Sequence, residues 1–274
     1  MFDLPVMYIL TIAFLFGIII GSFLNVYIYR FHTGKSLSGN SHCMSCAQTL
    51  NWYDLFPLLS YLYLCGRCRQ CSARIPSRYF WVELVTGLLF VLVIAVVINP
   101  LLWLPLLFMV SLLVIIAVYD IYHMIIPNEL VIALSAAVLV VVGYNLGADW
   151  SWWNLGSTVI SGGIGFSFFA GLWAYSKGRW LGFGDAKLAA PLGALVGLSG
   201  IFSMIVLSFW IGAGISLCLI FWQRYLSRGQ RHLRFMNTPL TIQSEVPFAP
   251  FLILGFLAVY FGGIDVLTLF QYVF

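Results

Sequence analysis

Long apolar runs alternate with short polar breaks along almost the whole chain. A helix needs about 20 apolar residues to cross a bilayer. Eight runs approach or reach that length, at about 7–29, 82–98, 101–119, 128–146, 156–175, 186–199, 201–222 and 248–270. The sixth is short. Asn99-Pro100 and Gly200 mark tight junctions between neighbouring runs. The pattern predicts an all-α polytopic membrane protein of about eight transmembrane helices. It divides into a first transmembrane helix at 1–30, a cytosolic four-cysteine insert at 31–81, and a seven-helix membrane bundle at 82–274. The first run has no basic segment before it and no small-residue cleavage site after it. It therefore reads as a retained helix and not as a secretory signal.

Composition sharpens this picture. The chain is 62% hydrophobic and only 8% charged, whereas soluble domains are about half apolar and about a quarter charged. With so few charges, their placement carries the information. If the N-terminus lies outside the cytoplasm, the cytosolic segments are 30–81, 120–127, 176–187 and 223–247. The first holds Arg30, Lys35, Arg67, Arg69, Arg74 and Arg78. The third holds Lys177, Arg179 and Lys187, and the fourth Arg224, Arg228, Arg231 and Arg234. All 13 basic residues then fall on one side, as the positive-inside rule requires. Both termini are expected in the periplasm. Small residues at four-residue spacing (Ala189, Gly193 and Gly197; Gly163, Ser167 and Gly171) are expected to let helix backbones approach closely in lipid.

The insert holds Cys43-Met44-Ser45-Cys46 and Cys68-Arg69-Gln70-Cys71. Two C-x-x-C pairs at this separation fit a four-thiolate zinc site. A segment this short buries little core, so a structural metal would help it fold. Two disulfides, a redox pair or reduced thiols are the other readings, and disulfides are disfavoured on a reducing side. Cys65 could compete as a ligand, and Cys218 reads as a small buried apolar residue. Arg67, Arg69, Arg74 and Arg78 crowd the second pair and read as anchors at anionic headgroups.

Two acids stand out against the hydrocarbon. Asp120 closes the third run, and Asp185, within Gly182-Phe183-Gly184-Asp185, opens the sixth. A carboxylate at membrane depth costs at least about 2.5–3.5 kcal/mol, so a retained one points to function. The predicted topology puts both at the same depth. Two such acids that meet can share a proton and hydrolyse a peptide bond with a water. Taken singly, Asp120 also reads as an interfacial acid or a partner of His123, and Asp185 as a helix N-cap beside Lys187. Gly182 and Gly184 would permit a sharp turn and a close substrate approach.

Together these residues carry a resemblance. It runs from Gly21-Ser22-Phe23-Leu24-Asn25-Val26 to Arg30, through the cysteine pairs with Trp52-Tyr53-Asp54 between them, to Val82-Glu83-Leu84-Val85-Thr86-Gly87. It continues with Asp120 and Ile126-Pro127, the Gly182–Asp185 turn with Lys187, and Pro247-Phe248-Ala249-Pro250-Phe251. Over nearly its whole length the chain resembles the type IV prepilin peptidases, the membrane aspartic proteases also called leader peptidase/N-methyltransferases. The resemblance implies an inner-membrane enzyme that removes the basic leader of prepilins and pseudopilins at the cytosolic face. The new N-terminal amine is then methylated with S-adenosylmethionine. It implies Asp120 and Asp185 as catalytic, with Gly182, Gly184 and Lys187 in the active-site turn. Asn25 and Glu83 match polar family positions that serve either the methyltransferase site or the bundle interior. Asn128 departs from the family, which often has Asp after Ile-Pro. Pili, type II secretion and DNA uptake are all compatible roles, and no nucleic-acid partner is expected. A proton-coupled transporter, or a non-catalytic scaffold with a zinc-ribbon docking domain, are the alternatives.

Overall fold

The computed structural model describes residues 4–32, 39, 41–148, 150–227 and 246–268. Lys35, Arg228, Arg231 and Arg234, used above to orient the chain, lie outside them. Among the described residues eight α-helices run in order: α1 (Leu4–Arg30), α2 (Leu59–Tyr63), α3 (Arg78–Val96), α4 (Trp103–His123), α5 (Asn128–Ala148), α6 (Trp152–Ser176), α7 (Phe183–Ser227) and α8 (Ala249–Tyr260). Among the described residues there is no β-strand, only isolated bridges at His42–Thr49 and Arg67–Arg74.

Six of these helices, α1 and α3 to α7, are long and apolar enough to cross a membrane, and α8 is a shorter apolar helix. The expected sixth and seventh spans both lie inside α7. Its helical path breaks at Gly197, which takes φ 75° and ψ 178°, three residues before the junction expected at Gly200. A positive φ costs glycine nothing sterically. The junction before α4 is as expected: the Asn99 side chain accepts from the Leu101 N–H at 3.1 Å and caps a short turn with Pro100 in its first position.

The chain forms two compact units, Met1–Ile115 and Ile116–Phe274. In the first, α1 packs on α3. A Cβ on Gly17 would lie 2.7 Å from Gly87 Cα, and one on Gly21 2.7 Å from Glu83 Cα. Both obstacles are backbone, so only glycine allows these helices so near. Lipid matches their apolar side chains as well as a partner helix does, and close backbone approach holds them together.

In the second unit α7 is central, packed by α5, α6 and α8. Gly162 and Gly165 of α6 face the carbonyl oxygens of Ala190 and Ala189, where a Cβ would come to 3.0 and 2.8 Å. Gly193 meets Ser161 O in the same way at 2.9 Å. The series Gly163, Ser167 and Gly171 does not pack: these residues are exposed, and nothing stands within 4 Å of a Cβ at either glycine. Cys218, expected to be buried, is exposed on α7. In lipid an outward face can be as apolar as an inward one, which is why the sequence misplaced both. Phe169, Phe209, Phe248 and Phe251 form an aromatic cluster among α6, α7 and the start of α8, with Phe169 and Phe209 stacked at 6.1 Å.

Candidate active site

Asp120 and Asp185 are 65 positions apart in sequence, yet both belong to the second unit and both are 5% exposed. Both stand at helix ends of that unit, Asp120 in the last turn of α4 and Asp185 in the first turn of α7. Asp120 stands one turn before the end of α4. Its Oδ2 accepts the Ala249 N–H at 3.1 Å. Ala249 is the first residue of α8, where backbone donors have no partner within the helix. The aromatic cluster fixes the preceding Phe248 and so aims that N–H. Asp185 lies in the first turn of α7, and its Oδ2 accepts the Gly182 N–H at 3.2 Å. This is the acidic half of a capping box, with a glycine where the usual capping hydroxyl would be. Each carboxylate therefore sits at the positive end of a helix dipole, held by main chain.

Neither Gly182 nor Gly184 has a positive φ, so the turn uses no backbone conformation reserved for glycine. Gly184 is needed for space: a Cβ there would meet the Ile126 side chain at 3.0 Å. Lys187 does not pair with Asp185. Its Nζ donates to Asn128 Oδ1 at 2.8 Å and lies over the Phe183 ring. The residue that departs from the family thus holds the turn lysine by its amide oxygen. The His123 ring lies tilted against Tyr119, with centroids 4.4 Å apart. The Ala249 donor was not foreseen, because the Pro-Phe-Ala-Pro motif advertises no main-chain N–H.

In the first unit the sulfurs of Cys43, Cys46, Cys68 and Cys71 all lie within 4.8 Å of one another, and Cys65 is not among them. Cys43 and Cys71 Sγ are 3.8 Å apart. Tetrahedral Zn–S bonds of about 2.3 Å place sulfurs about 3.8 Å apart, so the donor set fits zinc. The two knuckles repeat one design. In each, the first cysteine donates its N–H to a residue five on, Gln48 or Ala73, and accepts from the N–H four on, Ala47 or Ser72. Ala47 and Ser72 both take φ 56°. The N–H groups of Cys46 and then Ser45 hold the Cys43 thiol down at about 6. The backbone at Ala73 also favours the Cys71 thiolate, but desolvation and the sulfurs of Cys46, Cys68 and Cys43 outweigh it and push that thiol up to about 11. A bound dication would draw all four to thiolate.

Arg69, expected at headgroups, instead reaches Asp54 at 2.8 Å and lies over the Tyr53 ring. Glu83 Oε2 accepts the Leu58 N–H at 2.8 Å and ties the insert to α3. Asn25 is 2% exposed. Its Nδ2 donates to Tyr79 O at 3.0 Å, while its buried Oδ1 has no hydrogen-bond partner.

Two family profiles match the chain. Residues 15–97 match the "Bacterial Peptidase A24 N-terminal domain" and residues 107–217 the "Type IV leader peptidase family". Among relatives, a protein of Bacillus subtilis strain 168 named prepilin leader peptidase/N-methyltransferase is 31% identical over 94% of this chain and 96% of its own. One of the same name from Aeromonas salmonicida strain A449 is 31% identical over 94% of this chain and 92% of its own. A third, from Myxococcus xanthus strain DK1622, is 32% identical over 82% of this chain, which spans 66% of that relative's length. No solved structure matches. The all-helical membrane fold, the paired aspartates and these relatives together place the chain in the type IV leader peptidase family.

Proposed function

We propose that the chain is a two-activity enzyme of the bacterial inner membrane. It cuts the basic leader from type IV prepilins and pseudopilins, then N-methylates the exposed N-terminal residue with S-adenosylmethionine. One observation carries the peptidase half: two buried acids, remote in sequence, belong to one compact unit, each held by a backbone N–H at a helix start, inside the stretch matched to the leader peptidase family. The relatives' shared name supports both halves.

In the reaction, one aspartate takes a proton from a water as its oxygen attacks the scissile carbonyl. The other, protonated, hydrogen-bonds the carbonyl oxygen and then protonates the departing amine, so no covalent intermediate forms. The Ala249 and Gly182 N–H groups keep each carboxylate from turning. The division into a first helix at 1–30, an insert at 31–81 and a bundle at 82–274 belongs to this reading. So does the orientation, with both termini periplasmic and the aspartates at the cytosolic face. Cys43, Cys46, Cys68 and Cys71 would hold a structural zinc that folds the insert.

The test uses purified enzyme and a prepilin, with and without S-adenosylmethionine, reading the mature N-terminus by mass. Cleavage followed by the increment of one methyl group is expected. Asp120→Asn and Asp185→Asn should each lower cleavage about a hundredfold or more. Full cleavage by either folded variant refutes the aspartyl mechanism.

A further inference from the structure

Residues 52–63 of the insert turn a row of large apolar side chains outward. Trp52 is 73% exposed, Leu59 67%, Leu62 60% and Tyr63 78%, and Phe56 is exposed as well. Leu59, Leu62 and Tyr63 share one helix face, and Trp52 extends it through its ring contact with Phe56 at 5.8 Å. Arg69 closes the other side. Its guanidinium pairs with Asp54 and lies 5.1 Å from the Tyr53 ring and 5.9 Å from the Tyr63 ring. A continuous apolar patch held in place like this marks a contact surface. We propose that it is a membrane-interface anchor: residues 52–63 lie in the headgroup layer beside the entry of α3, with anionic lipid as their partner. The proposal needs α1 and α3 to span the membrane and neither enzymatic activity.

Depth decides between lipid and water. The Leu58 N–H donates to Glu83 Oε2 at 2.8 Å. Glu83 stands five residues into α3, about 7.5 Å along the axis from Arg78. Leu58 takes φ 59° and ψ −49°, a region leucine seldom visits, and in that pose its N–H meets the carboxylate. Nearer the start of α3, the Tyr61 ring packs on Phe80 with centroids 5.5 Å apart. The segment therefore runs alongside the first two turns of an apolar span and not out beyond its end. Interfacial segments lie about 5–10 Å into the boundary between headgroups and acyl chains, which is the same depth. Exposed Trp81 of α3 stands at this level too, and Trp and Tyr are the residues that favour the layer.

Charge selects the kind of lipid. Between residues 41 and 77 Asp54 is the one acid, and Arg69 neutralises it. Arg67 and Arg74, bridged backbone to backbone, are both exposed and leave the insert basic. Basic side chains at this level are drawn to anionic headgroups. The apolar helix of a prepilin would match the leucines, but its basic leader would be repelled by the arginines. A water-soluble protein would have to displace lipid from beside α3 to reach Leu59 and Leu62.

The experiment uses the full-length enzyme in vesicles of phosphatidylethanolamine and phosphatidylglycerol. These carry a lipid with a photoreactive group high in its acyl chain. After illumination and peptide mapping, residues 52–63 should be labelled as strongly as the first turns of α3. Leu59→Ser combined with Leu62→Ser, both at exposed positions, should cut labelling of the segment about tenfold, with α3 labelled as before. Arg67→Gln combined with Arg74→Gln, or vesicles of phosphatidylcholine alone, should cut it about fivefold or more. Wild-type enzyme with α3 labelled and residues 52–63 bare overturns the anchor, whatever the variants do. Equal labelling in both kinds of vesicle overturns the choice of anionic lipid. Labelling lost on addition of a prepilin gives the face to the substrate, and labelling lost as the enzyme dimerises gives it to a second copy. Either result overturns the proposal.

Discussion

The turn before Asp185 offers a sharp discrimination between its two glycines. A Cβ at Gly184 would lie 3.0 Å from Ile126 Cβ, 3.2 Å from Cγ1 and 3.3 Å from Cδ1, where ordinary contact begins at 3.4 Å. The shortfall is 3.4 − 3.0 = 0.4 Å. Gly184→Ala must therefore push Ile126 or the first turn of α7 by that amount, and Asp185 is the next residue. Misplacing a catalytic group by about 1 Å costs about a hundredfold, so 0.4 Å passed wholly to the carboxylate lowers kcat about sixfold. Stability should fall by about 0–2 kcal/mol, because overpacking of about 1–3 kcal/mol is partly offset by the higher helix propensity of alanine, worth about 1 kcal/mol. At Gly182 a Cβ would meet nothing nearer than Asp185 Oδ2 at 3.7 Å, and φ is not positive. Gly182→Ala should cost less than twofold. The assay is kcat for leader removal at saturating prepilin, with a thermal melt to confirm folding. If Gly182→Ala loses as much as Gly184→Ala, the glycines serve substrate approach or backbone freedom, and the argument from Ile126 is wrong.

Other outcomes follow from the same geometry. Phe248→Ala empties the aromatic cluster that aims the Ala249 N–H. Phe248 is half-buried, so the cost should fall below the about 3–5 kcal/mol of a fully buried phenylalanine, read by denaturation in detergent, and cleavage should drop in whatever remains folded. Cys68→Ser should abolish zinc binding, measured as metal per chain, and wild-type zinc should leave progressively as pH falls, because each ligand must be a thiolate. Asn128→Asp converts the Lys187 hydrogen bond into an ion pair at an exposed site, and the melting temperature should move by less than the equivalent of about 1 kcal/mol. Gly17→Leu drives a side chain into the Gly87 backbone and should weaken the α1–α3 pairing, seen as faster proteolysis of the first unit.

Much of this was legible in the residues. Apolar runs announced the helices, and the spacing of the four cysteines announced their cluster. The misreadings share a cause. In water hydrophobicity marks the inner face of a helix, but in lipid both faces are apolar, so spacing alone could not choose Gly162 and Gly165 over Gly163 and Gly171. Gly197 and Gly200 were equally good sites for a break, and only packing picks one. The donor at Ala249 is main chain and so leaves no trace in residue type.

Because the groups that orient both acids belong to the polypeptide itself, ordinary substitution cannot delete them. At position 249 only proline lacks the hydrogen, and at position 182 the same holds. Loss of either anchor therefore comes through proline or through a shift of the backbone, as at Phe248 or Gly184, and not through exchange of the residue that donates.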